Sequence, residues 1–368
     1  MRRISEEESA KISGAIGELG LTISESALEK DFHVSAALAA LAKIEHPIFE
    51  FVFCGGTCLS KSYGILQRLS EDIDIKVVKK PGTPAISKSA LKTELSKLKV
   101  TVRDALIWEG FDREQFNEGK EDDEKNEATI RARDENKYIV FNIRYEERFV
   151  LAPGLRQRLQ IELNYANLVL PAKSLHAVSL IDKLTGVTQP TSTELKTVDL
   201  KEAAAEKLLS FPRRLAMHMR SIKANPVDGK RRHLLDPTLV RHVYDIHEIS
   251  RVRPDVFSDL TLISELMGRA MQTDALDFAS QHPEFVSHPV KELRLALQEA
   301  KSNPDIENQY DKFVAAMVYG EEKPNFQSAL STFEKYFDEA CKPHEQVTFS
   351  YLITEDTEAP IEGLAPSI

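Results

Sequence analysis

Residues 48–78 read IFEFVFCGGTCLSKSYGILQRLSEDIDIKVV, and this segment contains the strongest structural signals in the chain. Its apolar and aromatic start, Ile48 to Phe53, predicts a buried strand that ends at the glycine pair Gly55-Gly56. Apolar residues at helical spacing follow, and Thr57 can cap that helix. A second strand is predicted from Asp72 to Val78. The local order is therefore strand, glycine turn, helix and strand.

Two carboxylates lie on the second of these strands. Side chains alternate between the faces of a strand, so Asp72 and Asp74 share a face, with Cβ atoms roughly 6–7 Å apart. That spacing lets both carboxylates reach one hard cation or bridge two. Glu162 lies on another predicted strand, Arg158–Tyr165, and would supply a third acid if the two strands are neighbours. The alternative for all three acids is that they are ordinary exposed residues of alternating strands and bind no metal.

The glycine pair lies between a strand and a helix. Because Gly55 and Gly56 lack a Cβ, their backbone N–H groups can approach an anion, and the helix start adds a positive partial charge. Thr57 and Ser60 place hydroxyl groups in the same turn. An ordinary tight turn is the structural alternative. The sequence contains neither the phosphate loop Gly-x4-Gly-Lys-Ser/Thr nor the fingerprint Gly-x-Gly-x-x-Gly, so the common nucleotide-binding folds are not indicated.

The remaining segments alternate between predicted helices and strands. Helices are expected over residues 1–44, 86–108 and from Ser174 onward, a charged loop or hairpin tip over 111–136, and a further strand over 138–145. Proline is expected to begin or kink the helices near Pro212 and Pro237.

Composition limits the class of protein. The chain has 368 residues, of which 42% are hydrophobic, and its formal net charge is −10. No apolar run is long enough to span a membrane, no apolar signal segment follows the first residues, and three cysteines suit a reducing compartment, so we expect a cytoplasmic protein. The acidic balance opposes non-specific coating of nucleic acid. A basic stretch at residues 207–241 is either a solvated helical face or a site for a polyanion.

Several segments, in chain order, resemble one protein family. They are Leu28–His33, Phe53–Lys61, Arg68–Ile75, Glu206–Leu209 and Arg241–Ile246. Together they resemble the AbiEii/AbiGii-like nucleotidyltransferase toxins of bacterial abortive-infection, type IV toxin–antitoxin systems. The resemblance spans about residues 28–250, and the ordered spacing of the segments is more specific than any one of them.

The resemblance implies an α+β fold. Its centre would be a small mixed β-sheet nucleotidyltransferase core like that of polymerase β, with flanking helices and a C-terminal helical domain. The implied division is an N-terminal helical segment over residues 1–45, the core over 46–175, the helical domain over 176–345 and a disordered tail over 346–368.

The resemblance also implies roles for individual residues. Asp72, Asp74 and Glu162 would hold the metal and act in catalysis with Lys207 and Asp245. Lys207 would neutralise triphosphate charge, and Asp245 would orient Lys207 or the acceptor. Nucleotide contacts are implied for Gly55, Gly56, Thr57, Ser60, Lys61, Arg68, Ser70 and Lys207. Pro212 departs from the family pattern, because it is expected to interrupt the helix after Lys207.

The implied reaction moves a nucleoside monophosphate from an NTP to an acceptor hydroxyl and releases pyrophosphate. The implied cofactor is Mg²⁺, with Mn²⁺ as a second choice, and the implied acceptor is RNA, at the 3′ end of tRNA. The protein would be a toxin with a cognate antitoxin encoded nearby and with no membrane partner. Three alternatives stay open: an NTP-binding toxin or regulator without catalysis, a transferase that modifies protein, and a sugar-nucleotide transferase, for which the glycine turn is not expected.

Overall fold

The computed structural model describes residues 1–19, 23–119, 129–152, 154–224, 235–277 and 279–350. The chain divides after Val198 into two compact units, Met1–Val198 and Asp199–Ile368. Three expectations fall partly outside the described residues: the disordered tail from residue 351 onward, residues 120–128 of the charged loop, and residues 225–234 of the basic stretch.

The first unit combines helices with a sheet. Its helices are α1 (Glu6–Leu19), α2 (Glu25–Ala42), α3 (Gly55–Lys61), α4 (Lys88–Trp108) and α5 (Leu180–Thr185). Its strands are β1 (Phe49–Cys54), β2 (Asp72–Lys79), β3 (Glu118–Gly119), β4 (Ile130–Arg133), β5 (Tyr138–Arg144), β6 (Arg158–Tyr165), β7 (Lys173–Val178) and β8 (Ser192–Thr197). The two N-terminal helices and the strands β1, β2, β5 and β6 occur where the sequence predicts them.

Within the described part of the chain, the eight strands form one mixed sheet in the order β3-β4-β5-β6-β2-β1-β8-β7. β2 pairs in parallel with β6, and β1 pairs in parallel with β8, whereas β1 and β2 are antiparallel. On β6, Leu159, Ile161 and Leu163 are buried, while the intervening residues are more exposed. The three apolar side chains therefore pack on one face of the sheet, and Gln160 and Glu162 lie on the other face. The predicted α+β architecture with a mixed sheet is confirmed.

The second unit is helical in its described residues. It contains α6 (Leu200–Ala224), α7 (Arg241–Val252), α8 (Thr261–Asp277), α9 (Pro283–Ser287), α10 (Pro289–Ser302), α11 (Pro304–Met317) and α12 (Phe326–Cys341). Prolines at the first turn of α9, α10 and α11 suit positions where no intrahelical N–H bond is needed. Aromatic residues fill the core, with Phe211 edge-on to Phe333 at 5.5 Å. The predicted C-terminal helical region is confirmed. None of the described helices combines the length and the apolar character that a membrane crossing requires.

Three local expectations are wrong. Residues 173–197 contain the hairpin strands β7 and β8 instead of continuous helix, because β8 pairs with β1 at Phe53↔Thr197 and the short, polar strands lie at the sheet edge. The glycine turn is itself the first turn of α3, which ends at Lys61. Pro212 lies inside α6 and does not end it. A proline inside a helix costs about 3 kcal/mol, and the buried side chains around it, including Leu209 and Phe211, offset that cost.

Candidate active site

The predicted acids lie on two neighbouring strands of the first unit. The parallel register of β2 with β6 places Asp74 opposite Glu162 and Asp72 opposite Gln160. Residues that are direct partners project from the same face of a sheet, so the three carboxylates share one face. The residue between the two aspartates, Ile73, is buried on the other face. The three acids were expected to lie together only if their two strands are neighbours, and β2 and β6 are neighbours.

Polar side chains contact these carboxylates. The Arg156 guanidinium donates to Asp72, with Nη2 at 2.7 Å from Oδ1. The Gln160 amide and the Tyr138 hydroxyl donate to Glu162. Burial, followed by the negative charge of Glu162, raises the pKa of Tyr138, so the phenol stays protonated and continues to donate.

The glycine pair lies directly against this group. Gly55 adopts φ +71°, and a Cβ at this position would overlap the Asp74 carboxylate. A Cβ at Gly56 would meet the guanidinium of Arg68, which is itself buried. Gly55 therefore needs glycine both for space and for backbone conformation, whereas at Gly56 an added Cβ would displace the end of the Arg68 side chain. The turn brings main chain, one carboxylate and one guanidinium into close contact.

The hydroxyl and amine groups of α3 point into the unit. Thr57 is buried, and its hydroxyl donates to the Ser70 hydroxyl at 2.7 Å and to the carbonyl of Asp72, so it does not cap the helix. The Ser60 hydroxyl is 3.5 Å from the carbonyl of Leu66. Lys61 is buried, with Nζ at 2.6 Å from Asp31. These contacts fix the helix against its surroundings, and the assignment of Thr57, Ser60 and Lys61 to the nucleotide stays a prediction.

A buried ion pair anchors Arg156. The Glu71 carboxylate accepts from Lys30 Nζ at 2.5 Å and from the Arg156 backbone N–H at 2.9 Å. Burial alone would raise the pKa of Glu71, but Lys30 and the Arg156 amide hold it below its usual value. Lys30 also donates to the Arg156 carbonyl at 2.7 Å. The loop before β6 is thus fastened to α2 and to the start of β2.

No role was predicted from the sequence for Arg156, Glu71, Gln160 or Tyr138. One signal was available, because Lys30 and Asp31 are adjacent opposite charges on a helix that also carries Leu28, Phe32 and Val34. Buried charges need partners, and here the partners are Glu71 and Lys61. A small cavity of about 20 Å³ lies among these groups, which is room for about one water molecule.

The three carboxylates fit a hard divalent cation as a donor set. Carboxylate oxygens are the ligands that Mg²⁺ prefers, and Asp72 already contacts a cation in the Arg156 guanidinium. Within the described residues, no three histidine, cysteine or acidic side chains are arranged to hold a metal ion as they stand. Asp72, Asp74 and Glu162 would therefore hold a magnesium ion only after their carboxylates move closer together.

The second unit contains the other two predicted catalytic residues. Lys207 on α6 donates to Asp245 on α7, with Nζ at 2.7 Å from Oδ2, and both side chains are buried. Three arginines of the basic stretch also face acids: Arg213 faces Asp274 at 3.4 Å, and Arg214 and Arg220 are paired with acids at 2.9 and 2.8 Å. These charges serve contacts within the unit.

The chain matches one protein family in sequence and a nucleotidyltransferase toxin in fold. A sequence model of the family described as nucleotidyl transferase AbiEii toxin, type IV toxin–antitoxin system, matches residues 38–332. Among solved structures, the fold is similar to MenT4, a nucleotidyltransferase toxin from Mycobacterium tuberculosis H37Rv, with 19% identity, a TM-score of 0.53, and coverage of 91% of this chain and 89% of that one. JHP933 from Helicobacter pylori matches with 16% identity and a TM-score of 0.38 over 88% of this chain and 94% of that one. A comparison with curated protein sequences finds no match.

Proposed function

Because this chain belongs to the AbiEii nucleotidyltransferase toxin family of type IV toxin–antitoxin systems, we propose that it modifies RNA. The chain is a nucleotidyltransferase, its substrate is a nucleotide, and its family implies an antitoxin partner. The proposed reaction is Mg²⁺-dependent transfer of a nucleoside monophosphate from an NTP to the 3′-terminal hydroxyl of tRNA, with release of pyrophosphate. Blocked translation would explain toxicity, and the NTP and tRNA substrates would place the reaction in the cytoplasm.

One observation carries this proposal: Asp72, Asp74 and Glu162 lie on one face of two paired strands. These carboxylates would supply the metal ligands, and Tyr138 and Gln160 would orient Glu162 through the hydrogen bonds that they donate to it. A bound Mg²⁺ would neutralise phosphate charge and favour ionisation of the attacking hydroxyl. Positioning and charge neutralisation supply most of the rate in phosphoryl transfer.

The donor side would be formed by the glycine turn. With no Cβ at Gly55 or Gly56, the main chain can come close to a phosphate group. The Arg68 guanidinium and the Ser70 hydroxyl both lie beside Gly56, where the guanidinium would supply a cation for the same phosphates. Ser60 and Lys61 belong to the proposed site as the residues that support this turn from α3.

Lys207 would neutralise the charge of the triphosphate, and Asp245 would orient the Lys207 side chain. The 2.7 Å contact between the two supports the orienting role, because a carboxylate at hydrogen-bond distance fixes an otherwise flexible ammonium group. Both residues lie in the second unit, and the first unit contains the proposed metal ligands.

The test is to incubate the purified protein and Mg²⁺ with total RNA, total cellular protein and each α-labelled NTP in turn. We expect label in RNA of tRNA size, with one NTP preferred, and release of pyrophosphate. The Asp74→Asn variant should leave the RNA unlabelled. Label in protein would replace the RNA acceptor with a protein acceptor, and NTP binding without any transfer would point to a non-catalytic toxin or regulator.

A further inference from the structure

Four arginines lie near the carboxylates. Three of them are at one end of the face that carries Asp72, Asp74 and Glu162, and Arg131 is level with Glu162 through Val140. Arg144 ends β5, Arg158 begins β6, Arg156 lies in the loop just before β6, and Arg131 is on β4. On β6, Arg158 and Gln160 lie on the same face as Glu162, because side chains two residues apart share a face of a strand. Gln160 is the register partner of Asp72. Arg144, Arg156 and Arg158, with Arg131, are called the arginine cluster below.

The cluster contains a direct pair of like charges. Arg144 and Arg158 are opposite each other in the antiparallel register of β5 with β6, and both are exposed. Like charges directly opposite on neighbouring strands destabilise a sheet. Desolvation and then the positive charges of Arg156, Arg131 and Arg144 lower the pKa of Arg158, so these guanidinium groups are close enough to act on one another. An anion held by these arginines would relieve that repulsion.

The arginine cluster and the glycine turn, where the NTP donor is proposed to bind, lie on different sides of the carboxylates. The strand order is β5-β6-β2-β1, and the glycine turn follows β1. The carboxylates lie between these two regions, on β2 and β6. A donor triphosphate at the glycine turn would therefore reach the carboxylates from one side, and an acceptor would come from the side of β5 and β6.

We propose that the arginine cluster holds the phosphodiester backbone of the single-stranded end of the acceptor nucleic acid. Guanidinium groups bind phosphate oxygens in a bidentate manner, and surfaces for single strands follow the backbone with positive charge. Arg156 contacts Asp72 directly, so it links the backbone surface to the reacting end of the acceptor. The inference rests on the proposed function for its choice of an acceptor strand. It assigns acceptor binding to the sheet of the first unit and not to the basic stretch at residues 207–241.

The test uses the full-length protein with the variant Arg144→Glu. This change replaces the repulsion with an opposite-charge pair to Arg158, so the thermal midpoint should not fall. The probe is a short, fluorescein-labelled single-stranded oligouridylate, and binding is followed by anisotropy at several salt concentrations. We expect affinity to fall about tenfold or more and the salt dependence to become less steep by about 0.7 per lost phosphate contact.

Lys88→Glu is the matched control. Lys88 is exposed at the start of α4, which follows the end of β2 remote from Asp72, and the substitution changes the net charge equally. The control should bind the oligonucleotide like the original protein. Equal RNA affinity of Arg144→Glu and Lys88→Glu would overturn the proposal. So would an equal loss of affinity for a non-hydrolysable NTP analogue, because the cluster would then hold the donor. These are binding measurements, so an absence of transfer activity would contradict the proposed function without changing their result.

Discussion

The Asp74 carboxylate lies against the α-carbon of Gly55 so closely that a side chain at Gly55 would overlap it. Gly55→Ala is therefore expected to displace Asp74 as well as strain a backbone at φ +71°. The strain alone costs about 1–2 kcal/mol. We expect a larger fall in the urea midpoint than strain explains, together with loss of nucleotidyl transfer.

Gly82→Ala is the control for this change. Gly82 has φ +78° and no heavy atom within 4 Å of the added Cβ, so it reports the strain without the contact. Its urea midpoint should fall modestly, and transfer should be retained. If the two variants were equally stable and equally active, the contact between Gly55 and Asp74 would have no consequence for the site.

Removing the charge of any one of the three carboxylates should abolish most of the activity without destabilising the fold. Asp72→Asn, Asp74→Asn and Glu162→Gln keep the size of each side chain, and all three positions are only partly buried. We expect each variant to reduce transfer of α-labelled nucleotide about a hundredfold or more, because charge stabilisation of the transition state is lost. Thermal unfolding should change little. Glu50→Gln, on the neighbouring strand β1 and opposite Val78, should retain full transfer; a similar loss there would remove the special role of the three acids.

A buried histidine should make the first unit sensitive to acid. His33 on α2 is buried, stacks on Tyr145 with ring centroids 4.2 Å apart, and has Nδ1 at 2.7 Å from an Arg2 nitrogen. Burial and then the Arg2 charge lower the pKa of His33 from 6.5 to about 3. In the unfolded chain the ring binds a proton near pH 6.5, so the stability present above that pH is lost as the pH falls towards about 3.

The expected loss from this one residue is on the order of 4 kcal/mol across that range. His33→Phe, which can still stack on Tyr145, should flatten the dependence of the unfolding free energy on pH between about 6.5 and 3. His176→Gln, at an exposed position on β7, is the control for the loss of one imidazole. An unchanged pH dependence in His33→Phe would show that the ring is not held neutral.

The sequence predicted the elements whose patterns are local. The apolar run before Gly55, the alternation on Arg158–Tyr165 and the aspartate pair each depend on residues close in the chain, and each takes the expected form. Strands β7 and β8 did not follow from the sequence, because their stability comes from pairing with β1 and with each other at a polar sheet edge. A helix-compatible composition cannot reveal such a tertiary preference.

The same limit applies to the site. The shared face of Asp72 and Asp74 follows from strand geometry alone, whereas the contact of Arg156 with Asp72 joins residues 84 positions apart. Its loop is fixed by Lys30 and Glu71, whose partnership is also long-range. Long-range ion pairs of this kind leave only an indirect trace in a single sequence, namely charged residues within otherwise apolar segments.

The Lys207–Asp245 pair allows a chemical role to be separated from a structural one. Removing one partner of a buried ion pair typically costs about 3–5 kcal/mol, whereas replacing both by apolar residues of similar size is often neutral. We therefore expect Lys207→Met and Asp245→Leu alone to lower the urea midpoint strongly, and the double variant to recover most of the unfolding free energy.

The double variant then decides the assignment. If Lys207 neutralises the triphosphate, the double variant should be folded and should still lack transfer activity. Its affinity for a non-hydrolysable NTP analogue should also be reduced, since a positive charge that contacts phosphate would be missing. Recovery of transfer together with stability would mean that the pair serves the fold of the second unit alone. Arg214 provides the control, because it lies on the same helix as Lys207 and is paired with Asp236 at 2.9 Å. Arg214→Met should leave both transfer and analogue binding intact.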